Sequence, residues 1–239
     1  MNNLQNQNLH QCIQAMAHVP GWEALQEAGF LAVKAPVRES LVNFVWARPD
    51  PATLATAKDF FAGRPFIWAQ EACQDGQWLL AAGFKPAQDF PDMVFDLQGY
   101  VAPALGPAVK VLRADSSLDF PFWAATAAEG LGMEVEVIRD FFQPLVREGG
   151  SVPFLVLHEG RPAATAMVFC GTVTGIYAVA TRPNYRRLGL GQAAIHACLQ
   201  WGQQAGTRQA VLSSSVMGLP MYEKMGFRTE RIMSEYHSR

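Results

Sequence analysis

The stretch ATRPNYRRLGLGQAAIHACLQW, from Ala180 to Trp201, decides the fold because it joins a predicted strand to a predicted helix. The apolar run before it indicates a strand, and apolar residues after it recur at helical spacing. A helix N-terminus offers unpaired N–H groups and the positive end of the helix dipole, so the loop predicts a phosphate site. Gly189 and Gly191 let an anion approach the backbone, and Arg186 and Arg187 add charge-assisted donors.

The sequence around this loop predicts a mixed α/β layer. Two helices are expected in residues 117–131 and 133–149, and a β-hairpin with its turn at Glu159-Gly160 in residues 152–170. A strand precedes the loop, and a strand, a short helix and a last strand follow the long helix. Residues 162–181 are uncharged over a membrane-spanning length, but glycines and threonines interrupt them and favour strands.

Composition excludes several classes of protein. Half of the 239 residues are hydrophobic, and 19 basic side chains nearly balance 21 acidic ones, so neither nucleic acid nor an anionic membrane is an expected partner. The four cysteines are scattered without a C-x-x-C pair, which argues against a metal site and against disulfides and favours the cytoplasm. The N-terminus lacks a signal-peptide pattern, and we expect a polar lead-in there.

A dinucleotide site is the first interpretation of the loop. GLGQAA, residues 189–194, satisfies the G-x-G-x-x-A fingerprint. Such folds place an acidic residue about 20 positions further on to hold the ribose. The chain reads QAVLSSS there, without a carboxylate, so a nucleotide-dependent oxidoreductase is disfavoured.

A second interpretation rests on two motifs together. R-x-x-G-x-G, residues 186–191, resembles the acetyl-CoA loop of the GNAT superfamily of N-acetyltransferases. SSSVMGLPMYEKMGF, residues 213–227, resembles that superfamily's second signature, a tyrosine followed four residues later by Gly-Phe. The family often has asparagine seven residues before this tyrosine, where the chain has Ser215. The resemblance covers the chain from about residue 108, and it implies a mostly antiparallel central sheet flanked by helices.

The resemblance also implies a site and a direct transfer mechanism. The pyrophosphate of acetyl-CoA would lie on the N–H groups of Leu188 through Gln192, and its pantetheine along the edge of the strand Val179 to Thr181. A backbone N–H near Val179 or Ala180 would polarise the thioester carbonyl, and Tyr222 would protonate the departing thiolate. The expected cofactor-binding residues are Val179, Ala180, Thr181, Arg186, Arg187, Leu188, Gly189, Leu190, Gly191, Gln192 and Ser215.

The general base is left open by the sequence. An alkylammonium is almost fully protonated at pH 7, so a base or a water relay is expected. Glu129 and Glu134, with Glu136 close by, lie on or between the two helices that border the acceptor site in the family, and either of the first two is a candidate. A solvated helix face is the competing interpretation for each.

The first hundred residues repeat part of the same order. The predicted order there is strand, loop, helix, strand, short helix ending in Gly-Phe, and last strand. The loop, ARPDPAT, lacks glycine and contains Asp50, whose charge would repel a phosphate. We therefore expect a tandem: residues 1–98 a degenerate GNAT-like domain without a cofactor loop, 99–108 a linker, and 109–239 the catalytic domain. The alternative is that residues 1–98 only cap the substrate cleft.

The expected function is transfer of an acetyl group from acetyl-CoA to a primary amine of a small molecule, an amino acid or a peptide. A non-catalytic acyl-CoA-binding regulatory module is the alternative, since it would keep the loop without needing Tyr222. The sequence names no acceptor, and it leaves the oligomeric state open, with a homodimer among the alternatives.

Overall fold

The fold was derived from a computed structural model, which describes residues 4–15, 19, 21–37, 42–72 and 76–238. The elements of the first half are α1 Leu4–Ala15, β1 Glu23–Glu27, β2 Phe30–Lys34, β3 Phe44–Ala47, α2 Pro51–Phe61, β4 Ile67–Glu71, α3 Gln77–Ala81 and β5 Lys85–Asp96. Those of the second half are β6 Val109–Arg113, α4 Phe120–Leu131, α5 Val135–Arg147, β7 Val152–His158, β8 Arg161–Cys170, β9 Thr174–Thr181, α6 Leu190–Gln204, β10 Gln209–Ser213, α7 Leu219–Met225 and β11 Arg228–His237.

These strands form one continuous sheet across the described residues. Its order is β1-β2-β3-β4-β11-β5-β10-β9-β8-β7-β6. Every neighbouring pair is antiparallel except β3 with β4 and β9 with β10. α6 and α7 pack on one face, while α1, α4 and α5 pack on the other. The predicted class, a mixed and mostly antiparallel sheet flanked by helices, is confirmed.

The two halves of the chain exchange their last strands. β5, from the first half, lies between β10 and β11, and β11 in turn pairs with β4. The strand order is therefore similar when it is followed inward from either edge of the sheet. In each direction a parallel pair, β3 with β4 or β9 with β10, is followed by the last strand of the other half, β11 or β5. Residues 97–108 contain no helix or strand, and the Tyr100 hydroxyl lies 2.6 Å from Nδ1 of His196 on α6. The division into domains at 98 and 109 remains a prediction.

The hairpin of β7 and β8 has the tight turn that its sequence predicts. Glu159 and Gly160 have φ angles of 50° and 77°. Positive φ at both central residues is the geometry that suits the twist of a two-residue hairpin. No helix among the described residues is long and apolar enough to cross a membrane.

The expectation of a polar lead-in is wrong, since α1 is a helix packed on the sheet. Asn8 is completely buried and donates through Nδ2 to the carbonyl oxygens of Phe169, at 3.2 Å, and Val173, at 2.7 Å. Its Oδ1 accepts a hydrogen bond of 2.5 Å from the hydroxyl of Tyr177 on β9. Cys12 and Ile13 of α1 are buried as well, but so few apolar residues in a polar segment gave no helical periodicity in the sequence.

Candidate active site

A cleft opens where β9 and β10 part. The two parallel strands pair only at Thr174 with Ala210 and at Gly175 with Val211. From Ile176 onward, no strand of the described residues pairs with the edge of β9 that faces β10. A strand edge of this kind can accept an extended ligand by backbone pairing. The predicted residues Val179, Ala180 and Thr181 all lie on this open part of β9.

A β-bulge changes the direction of β9 within the cleft. The register with β8 shifts between Thr165 and Met167, and Ala178 has a φ of 49°. The Thr165 hydroxyl donates to the Ala178 carbonyl oxygen at 3.0 Å and so holds the bulge. Bulges re-aim backbone groups next to active sites. The sequence missed this feature, because alanine at positive φ has no recognisable pattern.

The glycine loop forms an open helix N-terminus. Gly189 has a φ of 74° and precedes the first residue of α6, and no side chain in the described part of the chain caps the helix. The first backbone bond runs from Ala193 N to Gly189 O at 3.1 Å, which leaves the preceding N–H groups directed out of the helix end. A Cβ atom on Gly191 would lie 3.1 Å from Thr181 Oγ1. Leu188 is exposed beside this end, and Leu190 is buried beneath it.

The arginines of the loop contact different partners. Arg186 donates to the carbonyl oxygens of Thr181, at 3.3 Å, and Gly130, at 3.2 Å, and thereby ties the loop to β9 and α4. Arg187 is exposed with a φ of 64°. Gly130 also lies close to β9, since a Cβ atom there would be 2.8 Å from Ala180 Cβ. A glycine inside a predicted helix was the signal that could have identified this close approach.

Tyr222 lies on α7 with its side chain almost completely buried. Its ring packs against that of Phe227 at a centroid distance of 5.7 Å, and a Cβ atom on Gly218 would be only 2.8 Å from its Cε2. Burial raises the pKa of Tyr222 well above its usual value, so the hydroxyl keeps the proton that a general acid needs. The Ser215 hydroxyl accepts the N–H of Gly218 at 3.2 Å and so shapes the turn before α7.

The two candidate bases have different surroundings. The Glu129 carboxylate forms an ion pair with Arg182, at 2.5 Å to Nη2 and 2.7 Å to Nε. Arg182 also donates to the Pro162 carbonyl oxygen at 3.1 Å. Glu134 is exposed at the start of α5 without a side-chain capping bond. Both assignments remain predictions. Within the described ranges, no three acidic, histidine or cysteine side chains are grouped to hold a metal ion; Cys73 lies outside those ranges.

Comparison with known proteins places this geometry in a family. The model of the acetyltransferase (GNAT) family matches residues 119–227. Glucosamine 6-phosphate N-acetyltransferase of Trypanosoma brucei brucei is 42% identical over 107 residues, which cover 41% of this chain and 70% of that protein.

Two solved structures share the fold over almost the whole chain. A GCN5-related N-acetyltransferase from Kribbella flavida has a TM-score of 0.73 at 18% identity and covers 100% of this chain and 96% of its own. A tandem GNAT protein from the clavulanic acid biosynthesis pathway has a TM-score of 0.62 at 12% identity, covering 95% and 87%. The oxidoreductase interpretation of the glycine loop is therefore set aside. The chain belongs to the GNAT family and is an N-acetyltransferase.

Proposed function

We propose that this protein transfers the acetyl group of acetyl-CoA directly to the primary amine of a small-molecule, amino-acid or peptide acceptor. The observation that carries the proposal is the cleft between β9 and β10, which ends at the open N-terminus of α6. The family uses acetyl-CoA as its co-substrate, and the residues present fit that molecule. Gly191 lacks the Cβ atom that would narrow the cleft, and the helix end offers N–H donors to a pyrophosphate.

The residues of the cleft would have separate roles in binding and in catalysis. N–H groups from Leu188 to Gln192 bind the pyrophosphate, and the open edge of β9 pairs with the pantetheine amides. A backbone N–H beside the bulge, near Val179 or Ala180, stabilises the negative charge that develops on the thioester oxygen. Tyr222, which burial keeps protonated, would donate to the departing sulfur. The proton that the attacking nitrogen loses would pass to a base or a water relay, for which Glu129 and Glu134 are the candidates.

Glucosamine 6-phosphate is the first acceptor to test, because a relative 42% identical over 107 residues is named for that substrate. Free glucosamine, amino acids and short peptides complete the panel. Release of CoA measured with a thiol reagent detects turnover on any of them.

Binding of acetyl-CoA is tested by calorimetry on three proteins. The wild type should bind, and Gly191→Glu should not, because the new carboxylate occupies the anion site and repels phosphate. Gln200→Glu adds the same charge to an exposed position of α6 and is expected to bind normally. Tyr222→Phe should bind acetyl-CoA and turn over more slowly. Wild-type protein that does not bind acetyl-CoA would overturn the proposal.

A further inference from the structure

The strand exchange places a buried carboxylate from the first half beside the cleft of the second half. Asp92 lies on β5, where its Cα pairs with Ser213 of β10 on one side and with Arg231 of β11 on the other. Only 2% of Asp92 is exposed. It accepts hydrogen bonds from Ser213 Oγ at 2.6 Å and from Arg231 Nε at 2.8 Å. Burial raises the pKa of Asp92, whereas these two hydrogen bonds lower it.

Ser213 stands at the edge of the cleft. It is exposed, and it lies two residues beyond Val211, the last residue of β10 that pairs with β9. The next residue, Ser214, is held to β5 by a hydrogen bond of 2.8 Å from its N–H to the Pro91 carbonyl oxygen. The Ser213 hydroxyl is therefore held from the β5 side, and the side chain is exposed at the end of β10.

The hydrogen bond to Asp92 determines what the Ser213 hydroxyl can bind. A serine hydroxyl has one proton to donate and two lone pairs that accept. Because its proton points to the carboxylate, the oxygen offers only lone pairs to a ligand in the cleft. Such an oxygen binds N–H donors, which an amine or ammonium group supplies.

Arg231 holds Asp92 from the side opposite to Ser213. It forms ion pairs with Asp92 at 2.8 Å and with Glu71 at 3.2 Å, so the Asp92 carboxylate is oriented from β11 while it accepts the Ser213 hydrogen bond from β10.

We propose that Ser213 binds the reacting amine of the acceptor, and that Asp92 is a positioning residue that keeps the Ser213 oxygen a hydrogen-bond acceptor. The inference rests on the proposed acetyl transfer and deepens it, because it assigns part of the acceptor site to the strand supplied by the first half. Once the ammonium has lost a proton to a base or a water relay, one N–H held on the β10 side leaves the nitrogen lone pair free to face the thioester on the β9 side.

The test compares steady-state kinetics of four full-length variants with the wild type, using the amine of the panel that turns over fastest. Ser213→Ala should raise KM for the amine about ten-fold, which corresponds to ~1.4 kcal/mol, and leave the Kd for acetyl-CoA unchanged. Asp92→Asn should also raise KM for the amine, since an amide can donate to Ser213 and turn its proton toward the ligand. Ser213→Thr keeps the hydroxyl and should restore a KM close to that of the wild type.

A matched serine and aspartate pair provides the control. Ser234 on β11 donates to Asp89 on β5 at 2.6 Å, the same distance as in the Ser213 pair, but Asp89 lies outside the part of β5 that pairs with β10. Ser234→Ala should therefore leave both kinetic constants unchanged. If Asp92→Asn does not fold, the exposed Ser213 variants decide the result.

Three outcomes would overturn the inference. If Ser213→Ala has the KM and kcat of the wild type, the Ser213 hydroxyl does not bind the amine. Equal effects of Ser213→Ala and Ser234→Ala indicate a structural role only. If the wild-type protein binds acetyl-CoA but acetylates no amine of the panel, the inferred amine site is refuted, whereas the proposed cofactor site is not. By contrast, failure to bind acetyl-CoA refutes the proposed function itself, and the inference with it.

Discussion

Replacing Gly130 by alanine should impair catalysis much more than stability. Gly130 is in the last turn of α4, and an added Cβ atom would lie 2.8 Å from Ala180 Cβ and 3.0 Å from Thr181 N. Carbon atoms in contact prefer separations of about 3.5 to 4.0 Å, so α4 and β9 would have to move apart by about 1 Å. Because Gly130 O also accepts a hydrogen bond from Arg186, the glycine loop would move with them.

The two effects have different magnitudes. Overpacking of a close contact costs about 1 to 3 kcal/mol, while alanine favours a helix by ~1 kcal/mol over glycine, so the net loss of unfolding free energy should not exceed about 2 kcal/mol. Displacing groups that position a reactant by about 1 Å can reduce the rate about 100-fold. We therefore expect kcat of Gly130→Ala to fall by one to two orders of magnitude, roughly, in a protein that remains folded.

Denaturant unfolding, acetyl-CoA calorimetry and CoA release on the same preparations test this expectation. Ala125→Gly, at an exposed position of the same helix, is the control: it should lose ~1 kcal/mol of stability and keep its kcat. Wild-type turnover by Gly130→Ala would refute the reasoning, because the close approach of α4 to β9 would then be irrelevant to the cleft. A loss of turnover that unfolding fully explains would refute it as well.

Three further results are expected. Asn8→Ala should lower the unfolding free energy by about 3 kcal/mol, since it removes three buried hydrogen bonds, two to the carbonyl oxygens of Phe169 and Val173 and one from the Tyr177 hydroxyl; Tyr177→Phe should cost less, and equal losses in denaturant titrations would contradict this account. Tyr222→Phe should lower kcat while calorimetry shows unchanged acetyl-CoA binding, and an unchanged kcat would exclude Tyr222 as the acid. Burial raises the pKa of Tyr100 to about 12 and also raises that of Tyr222, so the unfolded state releases these protons first, near pH 10. The unfolding free energy should then fall as pH rises above 10, and it should fall less steeply in Tyr222→Phe. An unfolding free energy that stays constant in that range would be inconsistent with the raised pKa values.

Several local features could be predicted because short-range chemistry decides them. The turn at Glu159-Gly160, the beginning of α6 after Gly189 and the short helix with Tyr222 all lie where the sequence predicts them. Each depends on residues within one turn of the chain, such as a glycine at positive φ or apolar residues at helical spacing. Identification of the family rested on two such local motifs, and the comparisons confirm it.

Other features depend on which strands meet, which no local pattern records. The sequence of β5 predicts a strand, but the pattern does not choose between β10 and a strand of its own half as partner. Ser213 and Asp92 are 121 residues apart and carry no motif, so their hydrogen bond could not be anticipated. The bulge at Ala178 arises only when β9 pairs with β8, and the close approach of Gly130 only when α4 packs on β9.

The sequence by itself determined the class of fold, the glycine turn before α6, the short helix with Tyr222 and the family, because these depend on contacts between near neighbours in the chain. Only the tertiary structure decided the exchange of last strands, the burial of α1 through Asn8 and the meeting of Asp92 with Ser213. The physical reason is that strand pairing and buried polar contacts are chosen by the packing of the whole sheet. Alternative pairings of similar strands differ only in contacts between residues far apart in the sequence.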